Sequence, residues 1–251
     1  MRLAISGTAH SGKTTLLKSF LHTWRNYKSP STSYRDILKE KKLDHSKGTT
    51  PETQTVILDH LVDTVQGYKL DDNVIYDRCP LDALVYTLWA HEKNIEGFDK
   101  EFVTNQIAMC RESMRSLDII FLSRFDSSQK VKSKEDGTRE TDVEFIKEVD
   151  NIFYTVYMQY MANPTSDVFF PAGDSPTMIL LPNHGQARVD LIAEYVTPEG
   201  TMYGEEESIL NPENLSDLER LVELQKEQLD KEEKEKELFE KFGIDQNQFK
   251  F

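Results

Sequence analysis

Leu3-Ala4-Ile5 is a short apolar run that stops at Ser6-Gly7, the pattern of a buried strand entering a turn. Over residues 14–27 the period changes. Leu16, Leu17, Phe20, Leu21 and Trp24 share one side of a predicted helix. Residues 28–51 are polar and mixed, and predict only a short helix near 34–42. Thr50-Pro51-Glu52 is a helix start, with Thr as cap and Pro in the first helical position. The helix it opens places Ile57, Leu58, Leu61, Val62 and Val65 on one side and ends at Gly67. Asn73-Val74-Ile75-Tyr76 is the next strand and stops at Asp77. Helices over 81–93 and 102–114 follow, then a strand over 117–122. Residues 124–141 are charged and read as a loop. A long helix over 143–161 carries Phe145, Val149, Ile152, Phe153, Val156, Tyr157 and Tyr160 at helical spacing. A strand over 177–181 and a short helix over 187–195 complete the pattern. Strand and helix alternate throughout, which predicts an α/β fold: a parallel sheet flanked by helices.

The 251 residues suffice for one large domain with an appendage. Thirteen Phe, ten Tyr and two Trp exclude full disorder. No stretch approaches the roughly 20 apolar residues of a membrane span, and residues 1–5 lead straight into a glycine loop, so no signal peptide is expected. Cys79 and Cys110 make no disulfide or metal framework, the usage of a reducing, cytoplasmic setting. The net charge of -14 argues against broad adhesion to DNA or anionic membrane, while leaving room for a local basic pocket. Residues 205–251 hold 15 acidic and 7 basic side chains. Domain organisation follows: a globular unit over 1–195 with a loop at 124–141, a Pro/Gly-containing linker over 196–215, and an acidic helical tail over 216–251. The tail's apolar stripe is broken between Leu229 and Leu238, so a solvated helix is expected; a homodimer seam, a gate over the site or a protein-partner surface is the alternative.

Candidate chemistry begins at Gly7-Thr8-Ala9-His10-Ser11-Gly12-Lys13-Thr14, which fits G-x-x-x-x-G-K-[ST] between a strand and a helix. Glycines let successive backbone N–H groups turn onto phosphates, and the helix N-terminus adds its positive end. Gly7, His10, Ser11, Gly12, Lys13, Thr14 and Thr15 are therefore the expected nucleotide contacts. Lys13 reaches β- and γ-phosphates and the Thr14 hydroxyl is a Mg²⁺ ligand. The His10 side chain falls at a variable loop position and reads as incidental.

A second acid is needed near the metal. Asp77 closes a strand at its carboxyl end, where ligands bind in such sheets, whereas Asp118 precedes its strand. Asp77 can act as base or organise Mg²⁺, and Arg78 can grip an anion bidentately. Asp82 either contacts substrate or caps its helix. Cys79 reads as structural. Arg139, in the charged loop, can stabilise transferring phosphoryl charge. Tyr34, Arg35 and Gln54 can stack on, pair with or hydrogen-bond an acceptor.

Residues 7–14, Asp77-Arg78-Cys79-Pro80-Leu81-Asp82 with Tyr86, and Gly137-Thr138-Arg139 together resemble the P-loop nucleoside/nucleotide kinase superfamily. The nearest resemblance is to the AAA-type ATPase/kinase family that includes the nicotinamide riboside kinase domain, and to phage thymidylate-kinase-like proteins. The resemblance covers roughly residues 1–195. It implies a three-layer fold, ATP and Mg²⁺ as cofactors, and transfer to a nucleoside or nucleoside monophosphate, with Lys13, Thr14, Asp77, Arg78 and Arg139 in the roles above. Cys79 replaces the small polar or Gly residue usual after that Arg, and the acceptor is not fixed. A nucleotide within DNA is a further acceptor, which the overall acidity disfavours. A nucleotide-dependent ATPase or switch acting on a protein partner is the alternative from another class.

Overall fold

The computed structural model describes residues 1–128, 131, 140–163, 166–183, 185–201, 220, 222, 223 and 226. Its packed unit is Met1–Thr201. The strands are β1 (Arg2–Ser6), β2 (Val74–Asp77), β3 (Ile119–Leu122) and β4 (Thr177–Leu180). All pairings are parallel, in the order β2-β1-β3-β4. The helices are α1 (Lys13–Thr23), α2 (Tyr34–Lys41), α3 (Pro51–Gln66), α4 (Pro80–Glu92), α5 (Lys100–Ser113), α6 (Val143–Ala162) and α7 (Gly185–Ile192).

Each strand is buried on both faces, so the strands read as continuous apolar runs. On one face Ala4, Val74, Tyr76, Ile120, Leu122 and Met178 join a core built with α3, α4, α5 and α6. Alternation sends Leu3, Ile5, Ile75, Phe121 and Ile179 to the face covered by α1 and α7. The result is a three-layer α/β fold with helices on both sides of a parallel sheet.

Helix starts follow the sequence. α2, α3, α5 and α6 open on Ser33, Thr50, Asp99 and Asp142, each side chain accepting a first-turn N–H. α1 differs from the sequence expectation: it ends at Thr23, four residues early. Trp24 stacks on Phe20 (centroids 4.5 Å) and Tyr27 meets Phe20 edge-on. Trp24 Nε1 then donates to the Thr197 carbonyl and the Tyr27 hydroxyl to the Gly200 carbonyl. Residues 196–201, which composition assigns to the linker, are thereby seated on the end of α1, and Val196 is buried. Beside β2 a single parallel bridge, Lys28 to Val74, extends the sheet edge. At the amino end of the sheet Asp118 is engaged by the Arg2 backbone N–H and guanidinium (2.6 and 2.7 Å), far from the carboxyl end where β1 meets its loop. Among the described residues no helix is long and apolar enough to cross a membrane.

Candidate active site

The loop 7–12 leaves the carboxyl end of β1, between β2 and β3, where a parallel sheet opens a crevice. Gly7 is obligatory: at φ 140° a Cβ would stand 2.1 Å from the Ser123 carbonyl oxygen. Gly12, at φ 86°, turns the chain into α1. Neither a side-chain cap nor an acidic first-turn residue accompanies Gly12. Unlike α2, α3, α5 and α6, α1 therefore presents first-turn N–H groups without a side-chain acceptor, the arrangement that favours an anion.

Lys13 is folded into this loop. Its Nζ donates to the Gly7 carbonyl (2.7 Å), the Thr8 carbonyl (2.5 Å) and Ser11 Oγ (3.2 Å). Burial, then the Arg78 charge, lowers its pKa to about 7, with Asp82 and Asp77 opposing. The Thr14 hydroxyl donates to Asp77 Oδ2 at 3.1 Å. These two hard oxygen groups stand side by side at the loop, a donor set that suits Mg²⁺, which uses one or two protein oxygens together with substrate phosphates. Among the described residues no group of three or more His, Cys, Asp or Glu could hold a metal by itself.

Arg78 and Asp82 form a buried pair. Arg78 NH1 donates to Asp82 Oδ1 at 2.8 Å; the side chains are 7% and 2% exposed. Asp82 Oδ1 also accepts the Gly7 N–H (3.3 Å) and Oδ2 the Cys79 N–H (3.2 Å). Asp82 thus ties the phosphate loop to the start of α4 and orients Arg78. Asp82 makes the capping contacts of α4 and also lines a cavity beside the loop, the positions that the two readings of the sequence require. Cys79 is fully enclosed against Ser6, and burial pushes its thiol up to about 12, so it is inert.

A cleft lies beside the loop. Tyr34, Arg35, Gln54 and Asp82, dispersed in sequence, all line it, with Arg78. Ile57, Leu61 and Ala83 supply apolar wall. Gln54 is 1% exposed. Its Nε2 donates to Thr49 Oγ1 (2.8 Å), while its amide oxygen is buried with no hydrogen-bond partner. Such an orphan acceptor costs stability unless a ligand satisfies it. His45, Ser46, Tyr86 and Glu140 complete the wall, and sequence reasoning did not assign them to it. Burial, then the charges of Arg35 and Arg78, holds His45 below its ordinary value. A usable signal existed for Ile57 and Leu61, which follow Gln54 at i+3 and i+7 on one helix face.

Two further side chains make contacts that the sequence did not show. The His10 side chain is not incidental: its Nε2 donates to the Glu140 carbonyl at 2.7 Å, joining the phosphate loop to the entry of α6. Arg188, buried on α7, donates to the Ser11 carbonyl (NH1, 2.6 Å) and the Pro182 carbonyl (Nε, 2.7 Å), bracing the loop from behind. His10, Ser46 and Arg78 all hold positive φ (59°, 62° and 87°), backbone strain concentrated around these cavities. On the far side of the loop, Thr15, Lys18, His22, Asn183 and Gln186 border an open groove between α1 and α7. Arg139, and residues 129–130 and 132–139 of the charged loop, lie outside the described residues, as does the acidic tail apart from residues 220, 222, 223 and 226.

The architecture is a parallel sheet with helices on both faces and the glycine loop at the carboxyl end of its central strand β1. Solved structures sharing it include a deoxyadenosine kinase from M. mycoides with bound dATP (TM-score 0.56, 17% identity, covering 77% of this chain and 97% of that one). A thymidylate kinase from Candida albicans follows at TM-score 0.53 and 15% identity, covering 77% and 90%. The NadR protein in complex with NR gives TM-score 0.52 and 14% identity, covering 77% and 51%. The likeness is one of fold. No protein-family profile matches the sequence, and a comparison with curated proteins found no match.

Proposed function

We propose that this chain is a P-loop kinase that transfers the γ-phosphoryl group of ATP, with Mg²⁺, to a nucleoside or nucleoside monophosphate. The observation that carries this reading is the cavity beside the phosphate loop, lined by Tyr34, Arg35, Arg78 and by Gln54, whose amide oxygen is buried without a hydrogen-bond partner. Tyr34 and Tyr86 offer aromatic surface, Ile57 and Leu61 an apolar wall, and Gln54 a hydrogen-bond acceptor for a base N–H. A switch acting on a protein partner has no need of such a pocket. The reading is further supported by the fold neighbours, a deoxyadenosine kinase, a thymidylate kinase and a protein complexed with NR.

Residues 7–15 bind the triphosphate through backbone N–H groups, and the nucleoside end of ATP extends along the groove between α1 and α7. Lys13 leaves its loop carbonyls for the β- and γ-phosphates. Thr14 and Asp77 hold Mg²⁺, which when bound supplies positive charge to the phosphates. Asp77 lines the loop cavity but not the acceptor cavity, which favours the organising role over that of base. Arg78, aimed by Asp82, holds anionic oxygen at the junction. Arg139 is assigned to the transferring phosphoryl group. Catalysis is assigned to residues 1–195 and the tail over 216–251 is an appendage to it.

Incubation of the purified chain with γ-labelled ATP, Mg²⁺ and a panel of nucleosides and nucleoside monophosphates tests the reading. Label on one class of acceptor is expected. Release of free phosphate alone, unaffected by any acceptor, would overturn it.

A further inference from the structure

Resting on the kinase reading, we infer that the acceptor arrives already phosphorylated: the cavity junction is built for a nucleoside 5′-monophosphate, whose phosphate is gripped by Arg35 and Arg78. The reacting atoms must meet where the acceptor cavity opens onto the loop cavity. Three residues line both: Ala9, Arg35 and Arg78. Two are cations and none is an acid.

A hydroxyl acceptor requires a base within hydrogen-bond reach. The nearby carboxylates are committed elsewhere. Asp77 borders the loop cavity and the adjoining groove but not the acceptor cavity, and it accepts the Thr14 hydroxyl. Asp82 receives Arg78, Gly7 and Cys79. Glu140 borders the acceptor cavity only, and its Oε1 accepts the N–H groups of Thr141 and Asp142. Asp36 serves the capping box of α2. A phosphate monoester needs no base, since its second pKa is near 6. It needs cations, and Arg35 is placed to be one. Arg35 is exposed in the first turn of α2, borders the acceptor cavity, the loop cavity and the adjoining groove at Ser29–Ser33, and forms no ion pair among the described residues.

In the step this implies, an ionised oxygen of the acceptor phosphate forms a bond to the γ-phosphorus. The bond from that phosphorus to the β,γ-bridging oxygen breaks, and ADP departs with the electron pair. The products are ADP and a nucleoside diphosphate, and no proton has to move.

The test pairs each nucleoside with its own 5′-monophosphate, using the full chain, γ-labelled ATP and Mg²⁺. Expected is label in diphosphates, with kcat/KM at least about a hundredfold above the matched nucleoside. Equal or better use of nucleosides overturns the inference and leaves the kinase reading standing. Label in neither removes the kinase reading itself. Arg35→Gln should raise KM for the monophosphate about tenfold to a hundredfold at unchanged KM for ATP, with partial rescue by Arg35→Lys. An unchanged monophosphate KM in Arg35→Gln overturns the assignment to Arg35.

Discussion

Titration of Lys13 offers a way to watch the phosphate loop fill. Its side chain is 5% exposed, and the groups nearest its nitrogen are two carbonyls and a hydroxyl, with no carboxylate in hydrogen-bond contact. Burial and the Arg78 guanidinium therefore bring its pKa from 10.5 to about 7. At pH 8 about nine in ten unliganded molecules carry a neutral Lys13; at pH 6 about one in ten do. The phosphates of a bound nucleotide restore the charge by setting anions around the nitrogen. Binding at pH 8 should then draw about 0.9 proton onto this residue, and at pH 6 about 0.1. Calorimetric titration of ADP, repeated in buffers of different ionisation enthalpy, reads that uptake. Lys13→Met is the reference, because protonation of the nucleotide itself is common to both proteins and cancels. Equal uptake by the two proteins at pH 8, or a difference that does not shrink at pH 6, would refute the reasoning. The same shift sets a stability trend. The folded pKa lies below the unfolded one, so between pH 7 and 10.5 the unfolded chain binds more protons. Stability of the unliganded protein should rise with pH across that window, and bound nucleotide should flatten the rise.

Three more outcomes are expected. Gln54→Leu removes the orphan acceptor and should lower acceptor kcat/KM about tenfold to a hundredfold while KM for ATP stays put; a matching loss for ATP would mean general damage to the site. Asp82→Ala strands a buried guanidinium and two N–H groups, and should cost about 3–5 kcal/mol in chemical denaturation; a loss under about 1 kcal/mol would contradict the assigned pairing. Arg188→Met removes two charge-assisted hydrogen bonds and should raise KM for ATP about tenfold at little change in kcat; unaltered KM would show that the loop stands without its brace.

What the sequence revealed was local. The strand, the glycine loop and α1 lie within 23 residues, and their chemistry is written in consecutive positions. α3 was legible from Thr50-Pro51 to Gly67 because caps and breakers act within one turn. Asp77 was legible because the apolar run of β2 stops there. The end of α1 was hidden, since it depends on Trp24 and Tyr27 meeting backbone more than 170 residues away. The cavity lined by Tyr34, Arg35 and Gln54 was half-hidden for the same reason. Tyr34, Arg35 and Gln54 could be named for their chemistry, but only packing of α2 on α3 and of α3 on α4 brings them to Asp82 and leaves Gln54 short of a partner. His10 reaches a carbonyl 130 positions away and Arg188 one 177 positions away; neither bond has a local signature.

The central claim is that two ligands meet across Arg35 and Arg78, one in the loop and one in the cavity. A compound joining adenosine through five phosphates to the nucleoside of the monophosphate that takes up label spans both, and its dissociation constant is the decisive measurement. The account predicts binding more than about a hundredfold tighter than ATP or the acceptor alone, with most of that gain lost in Gln54→Leu. Affinity no better than that of ATP, indifferent to Gln54→Leu, would contradict it.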